Sequence, residues 1–311
     1  MAELKNEMSW SRTRMSTLHA CKRQYYYQYY LKWDGWNWNA PQRRKVAYRL
    51  SKMSNLNMLA GLAVHDTIKV LLDQLWKEGG ITEPDASLYA RKNILTRVWR
   101  DAEKEQWKDS PKRFPPMFEL YYGQPVSTER LKSVGAKVAR CVQNFEESEL
   151  FADLKQDDAS RWLAVDPTFQ DRQNLRVDGY TIWAMPDFAR KTEDGLCEIW
   201  DWKTGKVNPA DQVQLLSYAL YARDCWGFAP EQIRLYGFYL DPESGPPLVK
   251  EYPCSAQALD ETVDAIRNDF QVMHDHLDDV TENTPKSEEH FNQIEPSSTC
   301  GYCFFKELCD R

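Results

Sequence analysis

The sequence predicts an α/β fold, in which a mixed central sheet of about four or five strands is flanked by helices and a helical block over 80–150 is inserted before it. Two observations carry this. Apolar residues recur at helical spacing through the first half of the 311-residue chain, and strand-like stretches are confined to 162–252, with one helical segment among them.

Taken in order, Leu18, Tyr25, Tyr26, Tyr29 and Tyr30 fall near helical spacing and predict a helix over 11–31. Gly35, Pro41 and several Asn and Trp residues mark 35–44 as a loop. From 54 to 77, Leu59, Leu62, Val64, Ile68, Leu71, Leu72 and Leu75 form a broad apolar face, the mark of a buried helix, and His65 rides on it. Beyond Gly79-Gly80, helices are expected over 85–108 and 127–151, separated by the proline-rich SPKRFPPMFELYYGQP. Residues 162–184 carry β-type content; 175–184 and 196–202 read as strands joined through a turn at 192–195. A helix over 211–223, strands over 234–240 and 248–252, and a helix over 255–277 complete the pattern before the tail SSTCGYCFFKELCDR.

Composition narrows the class. No stretch approaches the roughly 18 consecutive apolar residues of a membrane span, and the start MAELKNEMSWSR lacks the apolar core of a signal peptide, so a soluble cytoplasmic protein with no membrane partner is expected. Lys and Arg number 40 against 47 Asp and Glu, which speaks against simple coating of nucleic acid. The balance is uneven, however. Residues 1–60 hold eleven basic and three acidic side chains, and residues 251–311 hold four and fourteen, so a local basic surface can still attract phosphates.

The chemistry concentrates in MPDFARKTEDGLCEIWDWKTGK. Asp187 is expected to close one β segment and Asp201 lies at the end of the next; Lys203, two residues on, projects to the same face of an extended chain as Asp201. Two carboxylates and a lysine converging at a strand end suit a divalent cation and a phosphodiester, with Trp202 placed to lend its backbone carbonyl. On a strand edge the same residues are often only solvated, so the motif alone is a weak signal. Ten residues on, Gln214 and Tyr218 lie one turn apart on one helix face. Glu198, the nearest other carboxylate, should face away from Asp201.

On Gly61-Leu-Ala-Val-His65, Pro186-Asp187, Asp201-Trp-Lys203-Thr-Gly-Lys and Gln214-Leu-Leu-Ser-Tyr218, in that order, the chain resembles the PD-(D/E)XK nuclease superfamily, specifically its RecB-like branch. The resemblance implies a restriction-endonuclease-like core and a metal-dependent nuclease. His65, Asp187, Asp201 and the Trp202 carbonyl would bind Mg²⁺ or Mn²⁺, Lys203 would position the attacking water, and Gln214 and Tyr218 would support substrate or lysine placement. Asp201 stands where many relatives have Glu, and both occur in the superfamily. His65 alone would more often be a core histidine; its place in this order makes it a candidate ligand.

Cys300, Cys303 and Cys309 give C-x2-C-x5-C, three thiols in need of a fourth ligand, and Cys21 is the candidate. A zinc knot or free thiols fit the spacing as well. One Cys before the nuclease motifs and three after them is similar to the iron-sulfur branch of RecB-like nucleases, including AddB-type helicase-nucleases and CRISPR-associated relatives. That resemblance favours a structural [4Fe-4S] cluster over Zn²⁺, stapling an N- and C-terminal subdomain. Cys141, Cys197, Cys225 and Cys254 are isolated and expected to be buried small hydrophobes.

Aromatics interleave with cations over 10–38, which is how single strands are bound without sequence readout, although a tyrosine stripe is more often packing. Arg12, Arg14, Lys22 and Arg23 are the expected phosphate contacts. The expected layout is a basic, aromatic segment with one cluster cysteine (1–60), a helical region carrying the motif histidine (61–165), a nuclease core (166–253), and a C-terminal helix with the cysteine cluster (254–311). The expected function is hydrolysis of DNA at strand ends or in single strands, in recombination, repair or phage and CRISPR-type defence. The chain carries no G-x-x-x-x-G-K-[ST], so unwinding would fall to a helicase or defence-complex partner. The alternative is a non-catalytic nucleic-acid-binding or scaffold subunit of such a complex.

Overall fold

The computed structural model describes residues 5–82, 85–167, 175–242 and 245–309. The chain opens with β1 (Ser9–Ser11) and α1 (Arg12–Ala20), whose first turn is capped by Ser11 Oγ accepting from the Arg14 amide. The single helix expected over 11–31 is interrupted. Cys21 is extended (φ −162°, ψ 113°), and the chain restarts as α2 (Lys22–Tyr26), running into a π-helical turn over Tyr27–Leu31. The break divides the aromatic stripe between two cores, Leu18, Tyr25 and Tyr30 in one and Tyr27 in another. The loop expected over 35–44 is shorter, because Gln42 already begins α3 (Gln42–Leu50). Gly35 packs so closely under it that a Cβ there would meet the Arg44 carbonyl oxygen at 2.3 Å.

The long helix α4 (Leu56–Glu78) starts at Asn55, whose side chain accepts from the Met58 amide, and stops at Gly79 in the left-handed region (φ 70°). In the helical block, α5 (Ala86–Tyr89) and α6 (Arg97–Glu103) are joined by a π-helical stretch at Ala90–Thr96. The short α7 (Phe118–Tyr121) lies within the proline-rich segment. The helix expected over 127–151 divides into α8 (Thr128–Glu146) and α9 (Glu149–Leu154), with Ser148 capping the second.

After β2 (Trp162–Val165), residues 168–174 of the β-rich stretch lie outside the described residues. The single strand expected over 175–184 is a hairpin, β3 (Arg176–Val177) and β4 (Tyr180–Trp183), turned by Asp178 and Gly179 at φ 49° and 88°. It pairs with β1 in a separate sheet of order β1-β4-β3. The turn at 192–195 therefore joins β5 (Phe188–Lys191), not that hairpin, to β6 (Cys197–Lys203). α10 (Ala210–Trp226) crosses to β7 (Ile233–Tyr239), parallel to β6, and β8 (Leu248–Tyr252) adds antiparallel outside it. The central sheet thus has five strands in the order β2-β5-β6-β7-β8, mixed in direction. α11 (Ala256–His274), the strand pair β9 (Leu277–Asp279) and β10 (Thr284–Pro285), and α12 (Ser298–Gly301) follow.

Strand alternation sorts side chains to two faces. Ala189, Cys197, Ile199 and Leu235 pack with α10, α11 and the N-terminal Trp10, Leu18 and Tyr25. Phe188, Trp200, Trp202 and Phe238 pack with α4 and α8. Asp201 and Lys203, in phase with Cys197 and Ile199, share the α10 face. Among the described residues no helix is long and apolar enough to cross a membrane.

Candidate active site and cysteine pocket

Asp187 stands one residue before β5, at the entry to a strand rather than closing one as expected. Because β5 runs antiparallel to β6 with Phe188 opposite Trp200, the entry of one strand and the exit of the other meet at one sheet end. Asp187 Oδ2 accepts from the Trp202 amide at 2.7 Å, and its Oδ1 lies 3.3 Å from His65 Nδ1. α4 thereby delivers His65 to the same place as the carboxylates. The next turn back brings Gly61 near Thr204, which a Cβ at 61 would meet at 3.8 Å, an ordinary contact.

Asp201 is buried. The Lys203 ammonium lies against its Oδ2, and Tyr218 donates to its Oδ1 at 3.4 Å. Lys203 in turn donates to Gln214 Oε1 at 2.8 Å, and the Gln214 amide donates to Tyr218 Oη. These four side chains close a ring, two from alternate positions of β6 and two from successive turns of α10. Glu198 accepts from Arg190 at 2.8 Å, outside this ring.

The electrostatics follow from burial and from the two carboxylates. Burial pushes the Asp201 carboxyl up and the Asp187 charge pushes it further, against Lys203 and His65, to about 7. Burial disfavours an imidazolium at His65, but Asp187 outweighs it and carries the ring up to about 9. For Lys203 burial is likewise outweighed, by Asp201, Asp211 and Asp187, and its ammonium is held above the ordinary lysine value. Cations already gather at the carboxylate oxygens, and Asp201 Oδ2 receives no well-directed hydrogen bond beyond its contact with the Lys203 ammonium. Two carboxylates that draw cations to one point, with an imidazole beside them, offer the hard donors that suit a divalent cation. Among the described residues no three His, Cys, Asp or Glu side chains converge into a ready-made ion cage.

One part of this network had not been singled out in the sequence. Asp211 Oδ1 lies 3.8 Å from Lys203 Nζ, and Asp211 Oδ2 accepts from Tyr239 Oη at 2.6 Å. Its spacing, one turn before Gln214 on α10, was the available signal.

Cys21, Cys300, Cys303 and Cys309 line one mainly apolar cavity of about 40 Å³, together with Tyr27 and Phe305. The extended Cys21 that breaks the first helix thus faces the tail. Burial and the neighbouring Cys21, Cys309 and Cys300 push the Cys303 thiol up to about 11. Gln293 donates to Cys309 Sγ at 3.2 Å, and Tyr27 Oη donates to the Leu308 carbonyl at 2.8 Å. Four sulfurs in an apolar pocket fit a soft metal centre by donor chemistry; they too stop short of a formed ion cage. Cys141 and Cys197 are buried as expected, whereas Cys225 and Cys254 are only partly so.

The expected phosphate contacts fare differently. Arg14 is 4% exposed, donating to Tyr25 Oη and Ser9 Oγ, both at 3.1 Å, so its guanidinium belongs to the core and does not reach a ligand at the surface. Arg23 is engaged with the Phe291 carbonyl (2.9 Å) and Glu288 (3.0 Å). Both are corrections to the sequence reading, which sees charge but neither the core that closes around Arg14 nor the partners of Arg23, more than 250 residues away. Arg12 bonds Ser16 one turn on, and Lys22 is part-buried. Of the rings over 10–38, Trp10, Tyr25, Tyr27 and Tyr30 are buried, while Trp36 and Trp38 are exposed.

A family model of the PD-(D/E)XK nuclease superfamily matches residues 9–310 of the chain. No curated protein and no solved structure matched it.

Proposed function

This chain belongs to the PD-(D/E)XK nuclease superfamily, and we propose that it is a Mg²⁺- or Mn²⁺-dependent deoxyribonuclease acting on single strands or strand ends. The observation that carries the reading is the closed ring of Asp201, Lys203, Gln214 and Tyr218 set beside Asp187 and His65. His65, Asp187, Asp201 and the Trp202 carbonyl would hold the ion, which supplies Lewis acidity towards the phosphate. Lys203 orients the attacking water and offsets charge that develops on the phosphate oxygens. Gln214 fixes the Lys203 ammonium, and Tyr218 fixes both Gln214 and Asp201, so the lysine reaches the reaction already positioned. The four cysteines would hold a structural [4Fe-4S] cluster, with Zn²⁺ as the alternative; iron content and a brown colour separate the two. Recombination, repair or defence, beside a helicase or defence-complex partner, is the setting such an activity suits.

The test is digestion of 5′- and 3′-labelled single- and double-stranded DNA with added Mg²⁺ or Mn²⁺. Cleavage that needs the ion and vanishes in Lys203→Ala is expected. Labelled strands that survive both ions would leave the non-catalytic scaffold reading in its place.

A further inference from the structure

Arg14 and Lys32, from separate elements, share one tyrosine ring, and Lys52 lies over another; among the described residues no carboxylate pairs with any of them. The Arg14 guanidinium of α1 stacks 4.5 Å from the centre of the Tyr29 ring, and the Lys32 ammonium lies 5.5 Å from the same centre. Lys52, just past α3, places its ammonium 5.3 Å over Tyr48. Among the described residues none of the three makes an ion pair with a carboxylate, and Arg14 Nη2 is buried with no hydrogen-bond partner. Other cations of the segment do find acids: Arg23 and Arg43 share Glu288, and Lys5 meets Glu282.

An unmatched group of buried or half-buried cations is costly, because each loses water and repels the others. Burial, then Lys52 and Arg14, bring the Lys32 ammonium down to about 8, and burial with Lys112 lowers Lys52. A structural role would be met better by a neutral side chain; an anionic ligand removes the penalty. The placement favours a long ligand over a small one. Lys52 lies three residues before Asn55, the cap of α4, the helix that carries His65. Arg14 follows Ser11, which pairs with Trp183 four residues before Asp187. Lys112 extends the same positive tract from the loop before α7.

We propose that Lys32 and Lys52, backed by the buried charge of Arg14, are a backbone-phosphate site for single-stranded nucleic acid, lying on the elements that lead into the candidate active site. This deepens the nuclease reading and rests on it for the identity of the polymer. The ring faces beside the ammonium groups suit a polynucleotide, which offers bases to stack as well as phosphates to pair.

The experiment measures binding of a fluorescein-labelled oligodeoxythymidylate across a salt series, without added divalent ion, for the full chain and for Lys32→Gln, Lys52→Gln and the double variant. Each lysine that contacts a phosphate should lower the slope of log K against log salt by about 0.7 and raise Kd at low salt, with Lys32→Arg restoring both. Lys77→Gln, paired with Asp73 at the opposite end of α4 from Lys52, should change neither. Slopes and affinities equal to the unaltered protein in both lysine variants would overturn the proposal. Inorganic phosphate at matched ionic strength should leave binding unchanged; displacement by it would mark a pocket for free phosphate and overturn the polymer assignment. Hydrolysis of bis(p-nitrophenyl) phosphate, too short to reach this tract, reads the active site separately. Its absence in the unaltered protein counts against the nuclease reading, while the salt slopes still decide this one.

Discussion

The candidate active site and the cysteine pocket are assembled in opposite ways. The first is drawn largely from one stretch, Asp187 to Tyr218, in which a β-hairpin register and one helical turn bring the side chains together, with only His65 arriving from elsewhere. The second joins residue 21 to residues 300–309 and exists only when the two ends of the chain are packed. A site of the first kind can lose a side chain and keep its scaffold. A site of the second kind is part of the scaffold, so whatever occupies it should be felt as stability rather than as rate.

Asp201→Asn and Lys203→Ala test the first half of that contrast and should have the largest effect. Either change is expected to reduce DNA cleavage by at least about 10³-fold, because in the proposed mechanism both act where charge develops at the phosphate. Asp201→Asn should stay folded, since the amide keeps the shape of the side chain and Lys203 retains Gln214 and Asp211 as partners. A variant that unfolds would show that the sheet end depends on its own catalytic groups, erasing the distinction. Cys303→Ser tests the other half. If the pocket holds the proposed metal centre, the change should strip it and cost on the order of several kcal/mol in unfolding measurements, while the folded fraction still cleaves DNA. An unchanged stability in Cys303→Ser would make the pocket an incidental meeting of thiols.

Tyr218→Phe probes the link between rate and position more finely. It removes the donor to Asp201 Oδ1 and one partner of Gln214 while leaving the ring in place. A loss of about 10-fold in kcat with little change in KM is expected if Tyr218 positions and does not itself bind substrate. A KM effect instead would place the hydroxyl against the DNA.

The same contrast governs how much the sequence discloses. The period of two along β6 puts Asp201 and Lys203 on one face, and the four-residue step on α10 pairs Gln214 with Tyr218, so both pairings can be read from local spacing. Asp187 sits at the entry of a strand and not at an exit because the Asp178-Gly179 turn, a hairpin signal in its own right, divides the 175–184 stretch and the next strand begins only at Phe188. α3 is not legible in the sequence because QRRKVAYRL offers little apolar periodicity; its Ala47 and Leu50 are buried by tertiary packing. The cavity shared by Cys21 and the tail could be anticipated only through a family resemblance, since no local rule pairs residues so far apart. Charge composition misled most: it counted Arg14 and Arg23 as free, where one is buried among tyrosines and the other is bound to Glu288.

Glu288 offers the mildest test of the joined ends. Its carboxylate accepts from Arg43 at 2.6 and 2.7 Å and from Arg23 at 3.0 Å, and shares the Tyr27 hydroxyl proton, at 3.0 Å, with the Leu308 carbonyl, tying the C-terminal segment to α2 and α3. Burial alone would raise this carboxyl, but the bonds from Arg43 and Tyr27 and the charges of Arg43 and Arg23 hold it below the ordinary value of 4.5. A carboxyl depressed on folding contributes stability that is present above its unfolded pKa and is lost as pH falls through 4.5 towards the folded value. Glu288→Gln should therefore cost about 1–2 kcal/mol at neutral pH, a figure tempered by the half-exposed Arg43. Stabilities from urea unfolding of the two proteins should converge as pH falls below 4.5, where the wild-type carboxylate is itself progressively protonated. A gap that stays constant with pH would assign the loss to packing, and the ends would then be held by the cysteine pocket and the aromatic core without help from this ion-pair cluster.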